Sequence, residues 1–404
     1  MNLVQTLKNH PLPKELGFDI KEYAARVAKT QHLMRERGID FLIISITPNL
    51  GYLTGYDTTM PSGYCMGILG QTGNVRLHTS ELEAPCALLF STIEDIDVYR
   101  WYESTDTATQ LGQILRDMGA DGRRIGIEMD NPETFASGAL NVRTYLRLKE
   151  LMPKAQFVDC THLVLEVRSV KSSTEIEKMR IAAHWSMQGL MATIDSCEIG
   201  KTDTDIVGEG YYALKKAGSE LMSIDPMCVT GPRTGYMPHI PYRRHELKEG
   251  HPVYLEYTGT YDRYNAPIMR SCVLGQPSEG IRRISDASLM VNDLLLENIK
   301  PGRTGDDIAQ IAKKGLDLAP EGYFFHGCYG YSIGMGHQPA WTEAALYIAE
   351  GAETVLVPGM TFHLPICIWS PEGKYGVGFS ESIVVTEDGC EILGTGEHRE
   401  LIIR

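Results

Sequence analysis

The chain has 404 residues, of which 43% are hydrophobic and 22% charged, and its formal charge is −14. That is the composition of an ordinary soluble protein with room for two or three domains, and so acidic a surface excludes a binder of phosphate backbones. No apolar run approaches the roughly 18 residues of a membrane helix, and residues 1–17 are too polar for a secretory signal, so a cytoplasmic location is expected. Nine cysteines at positions 65, 86, 160, 197, 228, 272, 328, 367 and 390 are scattered and form no CxxC. Reduced, mostly buried thiols are expected, not disulfides or a zinc site.

Taken in order, residues 20–38 predict an amphipathic helix ending at Gly38, with Tyr23, Val27 and Met34 on its apolar side. The run FLIISI after Asp40 predicts a buried strand. Thr47-Pro48-Asn49, Gly51 and Gly55 then mark a turn-rich segment. Further strands are expected at 65–69, 75–78, 96–101 and 124–128, with helices from Ser80, over 107–118 and over 132–151. This alternation describes one α/β domain. Tyr52, Tyr56, Trp101 and Tyr102 are candidates to line a ligand there, although aromatic residues more often fill cores.

Residues 167–173 read as a junction, with Ser173 placed to cap the next helix. Its apolar positions 176, 179, 183, 187, 190 and 194 keep helical spacing. Beyond it the chain repeats itself. Gly200-Lys201-Thr202 with Asp205-Ile206 recurs as Gly302-Arg303-Thr304 with Asp307-Ile308, and LKEGHPVYL (247–255) is echoed by LVPGMTFHL (356–364). Two related halves, each helix, helix, then strands, imply a pseudo-symmetric α+β domain whose pocket lies where the two strand sets meet. The strands carrying Glu256 and His363 should face one another across it.

Glu256 stands in GHPVYLEYTGTYDRYNAPIMR (250–270), which predicts a strand, a tight turn and a returning strand. Val253 and Leu255 point one way, Tyr254, Glu256 and Thr258 the other. A buried carboxylate there needs a partner or a task, whereas an edge-strand Glu simply faces water. The alternation leaves both placements open.

Six segments together resemble the creatinase, prolidase and methionine aminopeptidase (pita-bread, M24-like) superfamily: RSVKSSTEIEKMR (168–180), TGPRTGYMPH (230–239), LKEGHPVYLEYTG (247–259), GYSIGMGH (330–337), VPGMTFHLP (357–365) and FSESIVVTEDG (379–389). The resemblance spans the chain. It implies a creatinase-like α/β domain over 1–166 and a pita-bread catalytic domain over 167–404. Peptidases of this superfamily hold two metal ions through two Asp, one His and two Glu, which activate a bridging water. Carried over, those positions fall on Glu256, Pro267, Tyr331, the neighbourhood of Pro365, and Glu381. Proline cannot ligate, so the resemblance implies a member without metals and without another cofactor.

His239 and His337 fall at histidine positions of the family, although either alone would more often be structural. Among metal-free activities the segments resemble ectoine hydrolase more than creatinase; a metal-dependent Xaa-Pro peptidase and a non-catalytic binding module are the further alternatives. For a cyclic amidinium, Glu256 and His239 are the expected catalytic residues. Tyr331, His337, His363, Trp369 and Glu381 are the expected substrate-binding set, and Arg233, Arg243 or Arg270 the expected holder of the substrate carboxylate. If close, Glu256 and Glu381 should titrate as a coupled pair. The family also implies a homodimer, ectoine or hydroxyectoine as small-molecule partner, and a downstream deacetylase.

Overall fold

The computed structural model describes residues 3–103, 105–129 and 139–404. Two compact units emerge: Met1–Arg168 with His337–Pro339, and Ser169–Gly336 with Ala340–Arg404.

In the first unit the described residues form a six-stranded mixed sheet, ordered Ile96–Tyr99, Arg76–Ser80, Cys65–Gly70, Phe41–Ile44, Arg124–Ile127, Gln156–Asp159. Phe41–Ile44 pairs antiparallel with Cys65–Gly70 and parallel with Arg124–Ile127, and its Leu42, Ile43 and Ile44 are fully buried, as an all-apolar central strand must be. The first expected helix is found at Ile20–Glu36, with Tyr23 and Met34 buried. Of the helix expected over 132–151, Val142–Leu151 is present and residues 132–138 lie outside the described residues.

The turn-rich segment is instead a helix, Thr47–Thr54, with Pro48 in its first turn and Gly55 in the left-handed region (φ 86°) closing it. A carboxylate about 80 positions away holds its start. Glu128 accepts from the Ser45 and Ile46 amides at 2.7 and 2.6 Å and from Asn49 Nδ2 at 2.7 Å. Tyr52 and Tyr56 are core residues; Trp101 and Tyr102 form an exposed edge-to-face pair, 5.8 Å between centroids.

The second unit carries the repeat. Ser173–Asp195 is capped by Ser172, one residue before the expected Ser173. Ser172 and Glu175 form a reciprocal capping box. Met179, Ala183, Met187, Leu190 and Ile194 lie buried along one stripe. The two GxT loops are equivalent in detail. Thr202 and Thr304 both build capping boxes, with Asp205 and Asp307. Gly200 and Gly302 adopt φ of 91° and 83° and donate to the Leu247 and Leu356 carbonyls, each at 2.9 Å. Lys201 and Arg303 carbonyls accept in return from Leu247 and Leu356.

Each half ends in a sheet. One is ordered Ile402–Ile403, Ile268–Val273, Pro252–Tyr257, Met227–Thr230; the other Thr342–Ala349, Cys328–Ile333, Thr361–His363, Ser382–Val385, Cys390–Ile392. The expected strand, turn and strand is observed, its tip turning through Asp262 and Arg263, both at positive φ (46° and 66°). Two such residues give the turn the twist a tight hairpin needs.

Candidate active site

Glu256 is on an interior strand: Met227 pairs with it on one side and Met269 on the other. That decides between the two placements the sequence left open. Its side chain shares a face with Tyr254, whose hydroxyl donates to Glu256 Oε2 at 2.6 Å. Residues 3% exposed seldom carry an anion, and burial pushes this carboxyl up to about 7, the Tyr254 hydrogen bond opposing it. Met269 Sδ and the Tyr254 hydroxyl both lie beside Cys367, at 3.5 and 3.7 Å from its Sγ. Trp369, Met237 and Val229 complete an apolar wall around them.

Across from this wall the second sheet brings His363, its Nδ1 3.9 Å from Glu256 Oε1. Tyr331 OH is 2.8 Å from that Nδ1 and accepts from Trp341 Nε1 at 2.8 Å. On the other ring nitrogen, Ser380 Oγ stands 2.7 Å away and accepts from the Met269 amide. Burial lowers the His363 pKa to about 3, the charge of His326 adding to it, so the ring is neutral at physiological pH. His363 therefore braces the strands as a neutral polar link.

Glu381 is committed to an arginine. Arg270, buried in the strand that returns beside Glu256, donates through Nη2 to Glu381 Oε1 at 2.7 Å and to the Glu397 carbonyl at 2.8 Å, while Nη1 donates to the Met269 and Ser380 carbonyls at 2.8 Å. Arg399 is 3.8 Å from the same oxygen. Burial still raises the Glu381 pKa, with Arg270 acting against it. Glu381 Oε2 is buried with no hydrogen-bond partner among the described residues. The other carboxylate is not among the causes of either shift. Arg233 is also spoken for, bonded to Asp203 and to the Pro241 carbonyl. Of the three arginines proposed for a substrate carboxylate, Arg233 and Arg270 serve internal anions instead.

His239 lies exposed at the end of the 231–240 segment, near enough to His326 for its charge to disfavour protonation there. Sequence reasoning missed His326. Its ring, still open to solvent on one side, accepts from the Cys328 amide at 3.1 Å and bonds the Pro365 backbone. Packing around it lowers its pKa, and it lies 6.4 Å from the Trp369 ring. Phe324 stacks on Trp369 at 4.8 Å, the two residues exchanging backbone hydrogen bonds. Tyr254, which strand alternation puts on the same face as Glu256, is its hydrogen-bond partner. Of the remaining expected residues, His337 belongs with the first unit, where its Nε2 is 3.4 Å from Asp57 Oδ1.

The positions that the resemblance assigns to the peptidase metal ligands are Glu256, Pro267, Tyr331, the neighbourhood of Pro365 and Glu381. Pro267 has no side-chain donor, Tyr331 is hydrogen-bonded to His363 and Trp341, and Glu381 faces arginine. No group of three or more His, Cys, Asp or Glu suited to a metal ion occurs among the described residues. This donor set does not fit a two-metal cage. No helix among them is long and apolar enough to cross a membrane.

Replacing Tyr254 by Phe tests the electrostatics directly. It removes a donor that favours ionised Glu256, so the midpoint of that carboxyl should rise by about 1 pH unit, the scale of a charged hydrogen bond of about 1.5 kcal/mol. Carboxyl NMR against pH reads it; an unmoved midpoint contradicts the assignment.

Two halves of helix, helix and strands closing on one buried cluster define a pita-bread hydrolase domain, preceded by an α/β domain of the creatinase and prolidase type. The chain belongs to metallopeptidase family M24: that family's model matches residues 177–387, and the creatinase/prolidase N-terminal domain matches 26–170. It is similar to the ectoine hydrolase of Halomonas elongata, 32% identical over 94% of this chain and 96% of that one. It is also similar to a Xaa-Pro dipeptidase of Pyrococcus horikoshii, 26% identical over 93% and 98%. The X-Pro aminopeptidase structure from Thermotoga maritima superimposes with a TM-score of 0.80 at 22% identity, covering 94% of this chain and 99% of that one, which establishes a shared fold.

Proposed function

We propose that this protein hydrolyses a cyclic amidine without a metal ion, opening ectoine to Nα-acetyl-L-2,4-diaminobutyrate. Glu256 carries the proposal. It is a buried carboxylate whose pKa is about 7 and whose one hydrogen-bond partner among the described residues is Tyr254. Ionising it in the empty site is costly, and a bound organic cation offsets that cost. An amidinium is planar and spreads its charge over two nitrogens, which suits a carboxylate on one side and the Trp369 ring as a cation–π surface. The likeness to an ectoine hydrolase supports the same choice.

In the protonated ring, C2 lies between two nitrogens and is electrophilic. Oε1 of Glu256, the oxygen Tyr254 does not hold, acts at C2 either as nucleophile or as base toward an attacking water. Overall, a water oxygen bonds to C2, the C2–N bond breaks, and the departing nitrogen takes a proton from His239. Tyr331 is fixed by Trp341 and His363 as a wall of the site. Neutral His363 adds no charge that would repel the cation. Glu381 Oε2 is a free acceptor for a substrate N–H.

Purified protein incubated separately with ectoine, creatine and an Xaa-Pro dipeptide provides the test, with products identified by proton NMR. Ring opening of ectoine to the Nα-acetyl isomer is expected, with no urea from creatine and no free proline. Urea release would assign a creatinase-type reaction instead, and proline release a peptidase.

A further inference from the structure

Asp203 is completely buried, yet nothing in the chemistry above uses it. It opens the Asp203–Ala217 helix, where the helix dipole favours an anion. Its carboxylate faces the segment that carries His239. Oδ2 accepts from Arg233 Nη1 at 3.2 Å, the Arg243 amide at 3.1 Å and His245 Nδ1 at 3.0 Å; Oδ1 accepts from the His245 amide at 3.0 Å. The Asp203 amide in turn donates to the His245 carbonyl at 2.9 Å. Arg233 reaches onward to the Pro241 carbonyl at 2.9 Å, so one carboxylate gathers residues on both sides of His239.

A second anchor lies nearer the site. Met237 is buried against Val229, Tyr254, Met269, Cys367 and Trp369. Thr234 Oγ1 accepts from the Gly376 amide at 3.0 Å. His239 itself is exposed, so its own burial cannot fix its direction. We infer that Asp203 is a positioning residue, clamping the 231–245 segment so that His239 is aimed at the Glu256–Trp369 cluster. This rests on His239 acting as the proton donor proposed above. Four donors outweigh the burial that would otherwise raise the Asp203 pKa, which lies below the usual range, so the clamp is ionised at neutral pH. Water can reach Arg233 and His245 when the carboxylate is removed, being 22% and 44% exposed, so its loss should loosen the segment more than unfold the protein.

The test is a double-mutant cycle on the full chain: Asp203→Ala, His239→Ala and both together, with ectoine. Asp203→Ala should lower kcat by about tenfold or more with KM nearly unchanged, since a displacement of about 1 Å can cost up to about a hundredfold. In the His239→Ala background the same change should cost less than about twofold, because the two residues act as one unit. Asp203→Asn, which keeps an acceptor, should fall between. A substrate-independent readout is amide hydrogen exchange, which should quicken in 232–244 on Asp203→Ala and stay unchanged in the Pro252–Tyr257 strand. Equal losses in both backgrounds, or unaltered exchange in 232–244, would overturn the clamp. If the wild-type protein leaves ectoine intact, the functional proposal falls and hydrogen exchange alone decides the clamp. Should Asp203→Ala fail to fold, Arg233→Met and His245→Ala each remove part of the clamp; full rates in both would overturn it and reduced rates with quickened exchange would support it.

Discussion

Glu256→Gln is expected to lower the rate of ring opening by at least about a thousandfold, the upper part of the range for loss of a positioned acid, base or nucleophile. Gln keeps the size of the side chain and an oxygen to accept from Tyr254, so the wall of Tyr254, Met269, Cys367 and Trp369 should remain in place. Substrate should still bind, more weakly for want of the opposing charge. Single-turnover kinetics and calorimetry separate the two effects. Undiminished turnover would remove Glu256 from the chemistry.

The pH dependence follows from the same group. Glu256 must be ionised to act, and in the free enzyme its pKa is about 7. The acidic limb of kcat/KM should therefore rise with pH through a midpoint of about 7, and at one unit below that midpoint the ratio should be about tenfold lower than with Glu256 fully ionised. A cation bound opposite Glu256 pulls its pKa down, so the limb in kcat should lie at lower pH. Both limbs should vanish in Glu256→Gln. Stability should run the opposite way. The folded state holds this proton to about 7 while the unfolded chain releases it near 4.5. The contribution is thus full below about 4.5, is lost as pH rises to about 7, and is constant beyond.

The second large effect concerns stability. Arg270→Met leaves Glu381 buried with only the more distant Arg399 nearby, and Arg270 also satisfies three carbonyls. Removing one partner of a buried ion pair costs about 3–5 kcal/mol, because the desolvated charge left behind has nothing to balance it. At about 2–4 °C per kcal/mol for a unit of this size, the melting temperature should fall by about 10 °C. Adding Glu381→Gln removes that charge and should recover a large part of the loss. Thermal unfolding at neutral pH reads both variants. A single variant as stable as wild type would mean that Glu381 was neutral or already compensated.

The pseudo-symmetric half of the fold was legible because its signals are local. Gly at positive φ, a Thr cap and Asp three residues later recur about a hundred residues apart, and each copy makes the bonds those residue types make. Strand alternation likewise put Tyr254 beside Glu256. The errors came from partners distant in the chain. Residues 47–55 read as turns because proline, asparagine and glycine cluster there, whereas Glu128, about 80 positions away, satisfies the amides at the start of a helix. Arg233 and Arg270 looked available for a substrate carboxylate because nothing nearby in sequence claims them. Asp203 and Glu381, 30 and 111 positions off, do so in the fold. His326 carried no motif at all; the pairing of Phe324 with Trp369 brings its ring to 6.4 Å from the Trp369 ring.

Activity before and after removal of divalent metal tests the central claim most directly. Protein dialysed against a strong chelator, with its metal content measured by elemental analysis, should open ectoine at the rate of untreated protein, and added manganese, cobalt or zinc should not raise that rate. Loss of activity on chelation, restored in step with the binding of two ions per chain, would contradict it.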